Sequence, residues 1–434
     1  MRRDSLAMAA ALTVAITLTA FAGGQETYEV WAIDQSNSAG ASFGGTLHVW
    51  DGHDLENEEE AFNAPADKID LAGAAAALCL AHTGVNPVRP HMLAINRSQT
   101  HAIISFVATG HVLFMDAASR TPVACFRMSQ GALGARQAHM SSPSPDDSYV
   151  TVANQNGKLF ERILTDYATN TFVHDTNATL NLATCTTPNG LPCEDSLLRP
   201  DNAPICPIPE STSRLVFVTL RGGGLFVVDG RTTPMQIVGE YDTSKVHGNG
   251  CLGAEVPGKM YIDSGGGTAT NLHQADLYAF PTTGYSPLNP PNTPEPSLVF
   301  SDNAEGADAH GAALTKHGNY LWVADRGRNF LWVVDTAIDA VIDTILLEGD
   351  VSDDPTPDLV ASSPGGSHMF LSLRGPVPLT ADPHVSTGST PGVGIVKVLK
   401  GGRTGVFRAR VPVTNVDAAG VERADVHAMV VRAK

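Results

Sequence analysis

One pattern constrains this chain more than any other: a His or Asp that opens an apolar strand-like run recurs at intervals of about 46 to 69 residues. The first four occurrences are Pro90-His91-Met92, Ala138-His139-Met140, Pro200-Asp201-Asn202 and Val246-His247-Gly248. Ala309-His310-Gly311, Pro357-Asp358-Leu359 and Val426-His427-Ala428 complete the series. Self-similarity at such a period is the signature of a repeat architecture, in which each unit buries its apolar face only against its neighbours. After each entry comes a polar turn, as in Ser144-Pro145-Asp146-Asp147 or Ser363-Pro364-Gly365-Gly366, where Pro and Gly supply the backbone angles. Two further strands follow, clearest in Tyr320 to Asp325 and Phe330 to Asp335 around a tight Gly/Asn turn, and again in Leu215 to Thr219 and Leu225 to Asp229.

The seventh entry lies so near the C-terminus that His427 to Val431 supplies only one strand of its unit. Tyr28 to Asp34 and Gly45 to Asp51, at the other end, carry the pattern of second and third strands. Joining the two ends in one sheet removes the open edges. The expected fold is therefore an all-β, seven-bladed β-propeller whose last blade combines a C-terminal inner strand with N-terminal strands. The 41 glycines and 28 prolines suit such an array better than α/β domains. Val152-Ala153-Asn154-Gln155-Asn156-Gly157, and Trp322 to Asn329 followed by an apolar strand ending in Asp335, resemble the YVTN or YncE-type propeller repeat. The likeness spans most of residues 23–434, read as one domain. It implies the fold but no single activity, since that family includes lactonases, lyases and metal-binding proteins.

Inner strands line the central channel of a propeller, so a position repeated once per blade becomes a ring. That position is read as His91, His139, Asp201, His247, His310, Asp358 and His427, all able to ligate a metal. Five of the chain's 15 histidines fall there, and imidazole with carboxylate suits zinc or copper among transition metals. Not all seven can bind one ion, so some would orient the ligands. The competing reading is structural: a histidine opening an inner strand can simply bond neighbouring backbone. Arg221, Arg326 and Arg374, each in an Arg-Gly pair, are expected at the same mouth, where they would hold a small anionic ligand or pair with rim acids such as Asp325 and Asp335. Asn154, Asn156 and Asp263 are placed in similar turns. His101, His111, His317 and His368 are expected on the surface, and Glu58 to Glu60 in a solvated loop. Gly222 to Gly224 and Gly265 to Gly267 read as turn glycines, not phosphate loops.

Arg2 and Arg3, an apolar run from Leu6 to Phe21 and Ala20-Phe21-Ala22 read as a signal peptide over residues 1–22, which predicts a periplasmic or secreted protein with no membrane span. Six cysteines without a CxxC favour disulfides in that compartment. Cys185 and Cys193, flanking a turn-rich segment, are the natural pair, and the other pairings stay open. A formal charge of −17 without a basic stripe argues against nucleic acid as a partner. Three functions remain. The first is storage, delivery or sensing of zinc or copper, alone or with a periplasmic partner protein, which the likeness to periplasmic zinc-chaperone propellers implies. The second is a metal-dependent lactonase or other hydrolase, lyase or copper oxidase acting on a small anion. The third is an interaction scaffold with a polar channel.

Overall fold

The computed structural model describes residues 27–267, 272–378 and 386–434. The expected signal peptide lies outside them. Within them the strands form seven antiparallel sheets. The first blade runs through Pro90–Ile95, His101–Phe106, His111–Asp116 and Thr121–Arg127. The second starts on Ala138–Pro143, the third on Pro204–Pro209, the fourth on Gly253–Val256, the fifth on Ala309–Leu314 and the sixth on Pro357–Ser362. The seventh is built from both ends of the chain, in the order Val426–Ala433, Tyr28–Asp34, Thr46–Asp51 and Ala66–Asp70. Its C-terminal strand pairs with Tyr28–Asp34 and packs against the inner strands of the sixth and first blades, which closes the ring.

The apolar faces of the blades meet in continuous clusters. Trp322, Leu331, Met369, Leu371 and Phe407 join the fifth blade to the sixth, for example, and the Trp322 indole donates to the Gly402 carbonyl at 2.9 Å. A fully buried Trp that finds an acceptor contributes its large apolar area without an orphaned N–H. The sequence pattern did not disclose the helix Ala74–Thr83, which packs on the first blade through the disulfide Cys79–Cys125. Cys185 pairs with Cys193, as expected, and Cys206 with Cys251, so that no cysteine is free. Three disulfides are the usage of an oxidising compartment. Among the described residues no helix is long and apolar enough to cross a membrane.

Candidate metal centre in the channel

The ring owes its existence to a local irregularity in the inner strands of every blade but the fourth. In the first blade the ladder registers Pro90 with Phe106 and then Met92 with Ser105, which leaves His91 out of step. The register slips in the same way between Ala138 and Met140, Ala309 and Ala312, and Pro357 and Val360. In the closing blade it slips between Ala428 and Val426, around His427. A bulge of this kind re-aims the extra residue's side chain away from the ladder. His91, His139, His310, Asp358 and His427 are therefore turned together at the channel, where the four imidazoles line one cavity of 240 Å³.

Two expected members are elsewhere. In the third blade the slip falls between Pro204 and Pro207, and Ile205, not Asp201, lines the cavity. Asp201 sits ahead of the strand and takes the Arg221 Nε at 2.6 Å, with Lys158 at 3.7 Å. In the fourth blade His247 precedes the inner strand Gly253–Val256. The Ser372 hydroxyl donates to the carbonyl of His427, the next blade's channel residue, at 2.7 Å, and the corresponding Thr219 hydroxyl reaches Gly250 at 2.5 Å. Gly250 thus holds the channel position of the fourth blade. His247 is half-exposed, with its Nδ1 2.6 Å from the buried Asp276 carboxylate. The ring has four histidines and one aspartate, with Ile205 and Gly250 filling the remaining places.

The imidazoles form a contiguous set. Nε2 of His91 is 3.2 Å from Nε2 of His139, the His91 ring centroid is 3.8 Å from that of His427, and His427 is 5.7 Å from His310. Two nitrogens bound to a tetrahedral ion at about 2.05 Å lie roughly 3.3 Å apart, so the His91 and His139 pair has the separation of one edge of such a site. His310, Asp358 and His427 bring ligand atoms within 4.8 Å of one another. Nε2 of His310 lies 3.3 Å from Asp358 Oδ1, and Nε2 of His427 lies 3.6 Å from Oδ2. Among the described residues, neither nitrogen of His310 nor Nδ1 of His427 meets a hydrogen-bond partner, although both rings are buried. An unsatisfied buried polar atom costs about 1–3 kcal/mol, which a coordinated cation would offset. Gly311, next to His310, has no room for a side chain, because a Cβ there would stand 2.1 Å from the Asp358 carbonyl.

Burial also sets the charge of the set. It pushes the pKa of His91, His310 and His427 well below the usual imidazole value, helped by the neighbouring histidines His427 and His139 at His91, by Arg326 at His310 and by Arg374 at His427. His139 is pushed down to about 4, again chiefly by burial. All four are neutral at neutral pH, the form that ligates metals. Burial raises Asp358, but His310, Arg374 and Arg326 outweigh it and hold the carboxyl below its ordinary value. The sulfurs of Cys206 and Cys251 lie near His139, with Cys206 Sγ 3.9 Å from Nδ1, yet they are joined in a disulfide and offer no thiolate.

All three arginines reach the cavity, with different freedom. Arg374 donates to Asp425 at 2.7 and 2.9 Å and to Asp358 at 2.7 Å. Arg326 pairs with Asp308 at 2.5 Å and Asp358 at 3.5 Å. Both are buried, whereas the Arg221 side chain is 39% exposed, bonded to Asp201 and Asn156. The rim acid Asp325 serves Arg328 instead. Other expectations need correction too. His101, His111 and His368 are buried, and Asp263 lies inside the strand Lys259–Gly265, its carboxyl pushed up to about 8 by burial. Glu58 is held by His368 at 3.2 Å and Lys397 at 3.1 Å. Gln35, Asp308 and Asp425, which support the ring, escaped the sequence reading, although Asp308 and Asp425 each stand two residues before a channel histidine.

No protein-family model and no curated protein matches the sequence. Among solved structures, the periplasmic gluconolactonase of Pseudomonas aeruginosa aligns with a TM-score of 0.57 at 14% identity, over 94% of this chain and 99% of that one. A protein from Lactobacillus plantarum aligns with a TM-score of 0.58 at 11% identity, over 94% and 99% of the two chains. The β-propeller domain of Cps50 (Swd1) from Myceliophteria thermophila gives 0.51 at 10% identity, over 79% and 92%. At these identities the likeness extends to the fold alone.

Proposed function

We propose that the chain is an exported metal-binding β-propeller that holds a transition metal, zinc or copper, in its central channel for storage, delivery or sensing. His91, His139, His310 and His427 would supply the nitrogens, and Asp358, whose oxygens lie 3.3 and 3.6 Å from Nε2 of His310 and His427, would supply negative charge among them. The observation that carries this reading is the convergence of four neutral imidazoles on one cavity, three of them buried, with both nitrogens of His310 and Nδ1 of His427 lacking hydrogen-bond partners. Imidazole-rich, thiolate-free donors suit zinc and copper, and suit magnesium or calcium poorly. The disulfides, the signal-like N-terminus and the fold shared with a periplasmic protein support export. The test is elemental analysis of protein purified from its native compartment, followed by titration of the metal-free chain with zinc and with copper. Near-stoichiometric metal in the wild type, and at least a hundredfold weaker binding in a His310→Ala, His427→Ala double variant, is the expected result. Wild-type protein that stays metal-free after loading would falsify the proposal.

A second reading has one observation in its favour. Arg221 reaches solvent at the cavity, beside Asn249 and Gln155, and could hold the anionic group of a small substrate while the metal polarises a substrate oxygen or activates water. The fold shared with a gluconolactonase makes a sugar lactone the first compound to assay. Metal-dependent turnover that Arg221→Ala weakens through KM would favour this reading over storage.

A further inference from the structure

We propose that Gln35 fixes the tautomer of His91 and so aims its Nε2 lone pair into the channel, as the last link of a relay that begins at Arg374. The inference rests on the metal-binding reading for its purpose but on hydrogen-bond logic for its content. Arg374 grips Asp425 through two parallel bonds, Nε to Oδ1 at 2.7 Å and Nη2 to Oδ2 at 2.9 Å. A carboxylate so paired only accepts. The side-chain amide of Gln35 lies 2.6 Å from Asp425 Oδ2, so it must present its NH₂ there, because the opposite orientation would set a carbonyl against a carboxylate. Its carbonyl oxygen then faces the other way, 3.0 Å from Nδ1 of His91. A carbonyl has no proton to give, so Nδ1 of His91 carries the hydrogen and donates it. In a neutral ring that leaves Nε2 with a bare lone pair, and Nε2 is the atom that stands 3.2 Å from His139.

The relay is rigid. Gln35 and Asp425 are fully buried, and the Gln35 backbone N–H donates to the Asp425 carbonyl at 3.0 Å, which fixes the spacing of the two residues. It also crosses the closure of the ring. Arg374 belongs to the sixth blade, Asp425 precedes the C-terminal strand, Gln35 follows the strand Tyr28–Asp34, and His91 opens the first blade. The ligand atom of His91 is thereby correctly presented only when both ends of the chain are docked. Gln35 is a positioning residue that touches the ligand and not the metal. Partners of this kind are worth about 10- to 100-fold in metal affinity.

The experiment uses the full chain with ¹⁵N-labelled histidine, freed of metal, with the His91 signals assigned against a His91→Gln variant. Long-range ¹⁵N–¹H correlations in the wild type are expected to show the proton on Nδ1 of His91. A proton on Nε2 of His91 in the wild type overturns the proposal. Gln35→Met, which keeps the volume and removes the acceptor, should release the tautomer and weaken zinc binding about 10- to 100-fold. Gln35→Glu retains an acceptor oxygen, can share a proton with Asp425 and should keep the Nδ1–H form. Unchanged tautomer and affinity in Gln35→Met would also overturn the proposal. If the tautomers behave as stated while the wild type takes up neither zinc nor copper, the relay stands and the metal-binding function fails.

Discussion

The four channel histidines cost the fold stability in acid because burial denies them a proton. Each has a folded-state pKa below that of the unfolded chain. Above the unfolded value of about 6.5 both states are neutral, and no penalty exists. As the pH falls below that value, the unfolded chain binds protons that the native channel refuses, and stability drops until the folded pKa is reached. For His139, pushed down to about 4, the window runs from about pH 6.5 to 4, and the full loss is on the order of 3 kcal/mol. Denaturant titrations of metal-free protein should therefore give a midpoint that falls between pH 7 and pH 5. The fall should be shallower in the His310→Ala, His427→Ala variant, and equal slopes would remove these rings as its cause. His247, with its exposed ring and its own Asp276, should behave otherwise: His247→Ala is expected to leave zinc affinity within about threefold of the wild type.

Between elements, the acidic stretch after Thr46–Asp51 does more than meet solvent. The helix Gly52–Glu56 and the loop after it clasp His368, the first residue of the strand His368–Leu373 in the sixth blade. His368 Nδ1 lies 3.7 Å from Glu56 and Nε2 3.2 Å from Glu58, while Ser367 donates to Glu56 at 2.7 Å. Lys397 and Arg408 approach Glu58, and His53 approaches Glu56 at 3.6 Å. Burial lowers the His368 pKa, but Glu56 and Glu58 outweigh it and raise the group above its ordinary value. The neighbouring His368 imidazole, first among several partners, pulls Glu56 down to about 2. The clasp therefore contributes fully between about pH 4.5 and 6.5, fading above as His368 loses its proton through its raised pKa and below as Glu56 gains one. Compared with His368→Gln, the wild type should gain its greatest thermal stability near pH 6 and lose the advantage by pH 9. A difference that stays constant with pH would mean that the histidine's charge plays no part.

Across the whole molecule, the proposed ligands come from the first, second, fifth and seventh blades, so an ion in the channel would tie together blades that share no sheet. A ligand that binds only the native state at a thousandfold excess over its Kd stabilises it by about 4 kcal/mol, or about 5 °C in Tm for a chain of this size. Zinc or copper should produce a shift of that order in the wild type and almost none in the His310→Ala, His427→Ala variant. An equal shift in both would place the metal outside the channel.

Local pattern alone carried the all-β repeat and the closure of the seventh blade by strands from both ends, and it named five of the residues that stand at the channel. Those features follow from local periodicity and turn chemistry, which need no knowledge of what lies opposite. The ring position in the third and fourth blades was decided only in three dimensions. Pro200-Asp201-Asn202 and Pro204-Ile205-Cys206 look alike as strand entries, and only the pairing of Pro204 with Leu220 and the bulge after it shows which residue turns inward. His247 matches its counterparts in local sequence, but the fourth inner strand begins later, so its ring reaches Asp276 instead of the channel. The burial of His101, His111 and His368, and the relay from Arg374 through Asp425 and Gln35 to His91, were equally beyond the sequence. The relay contacts join residues 51, 390 and 56 positions apart, and no periodicity along the chain encodes which of them the closed ring will bring within hydrogen-bond reach.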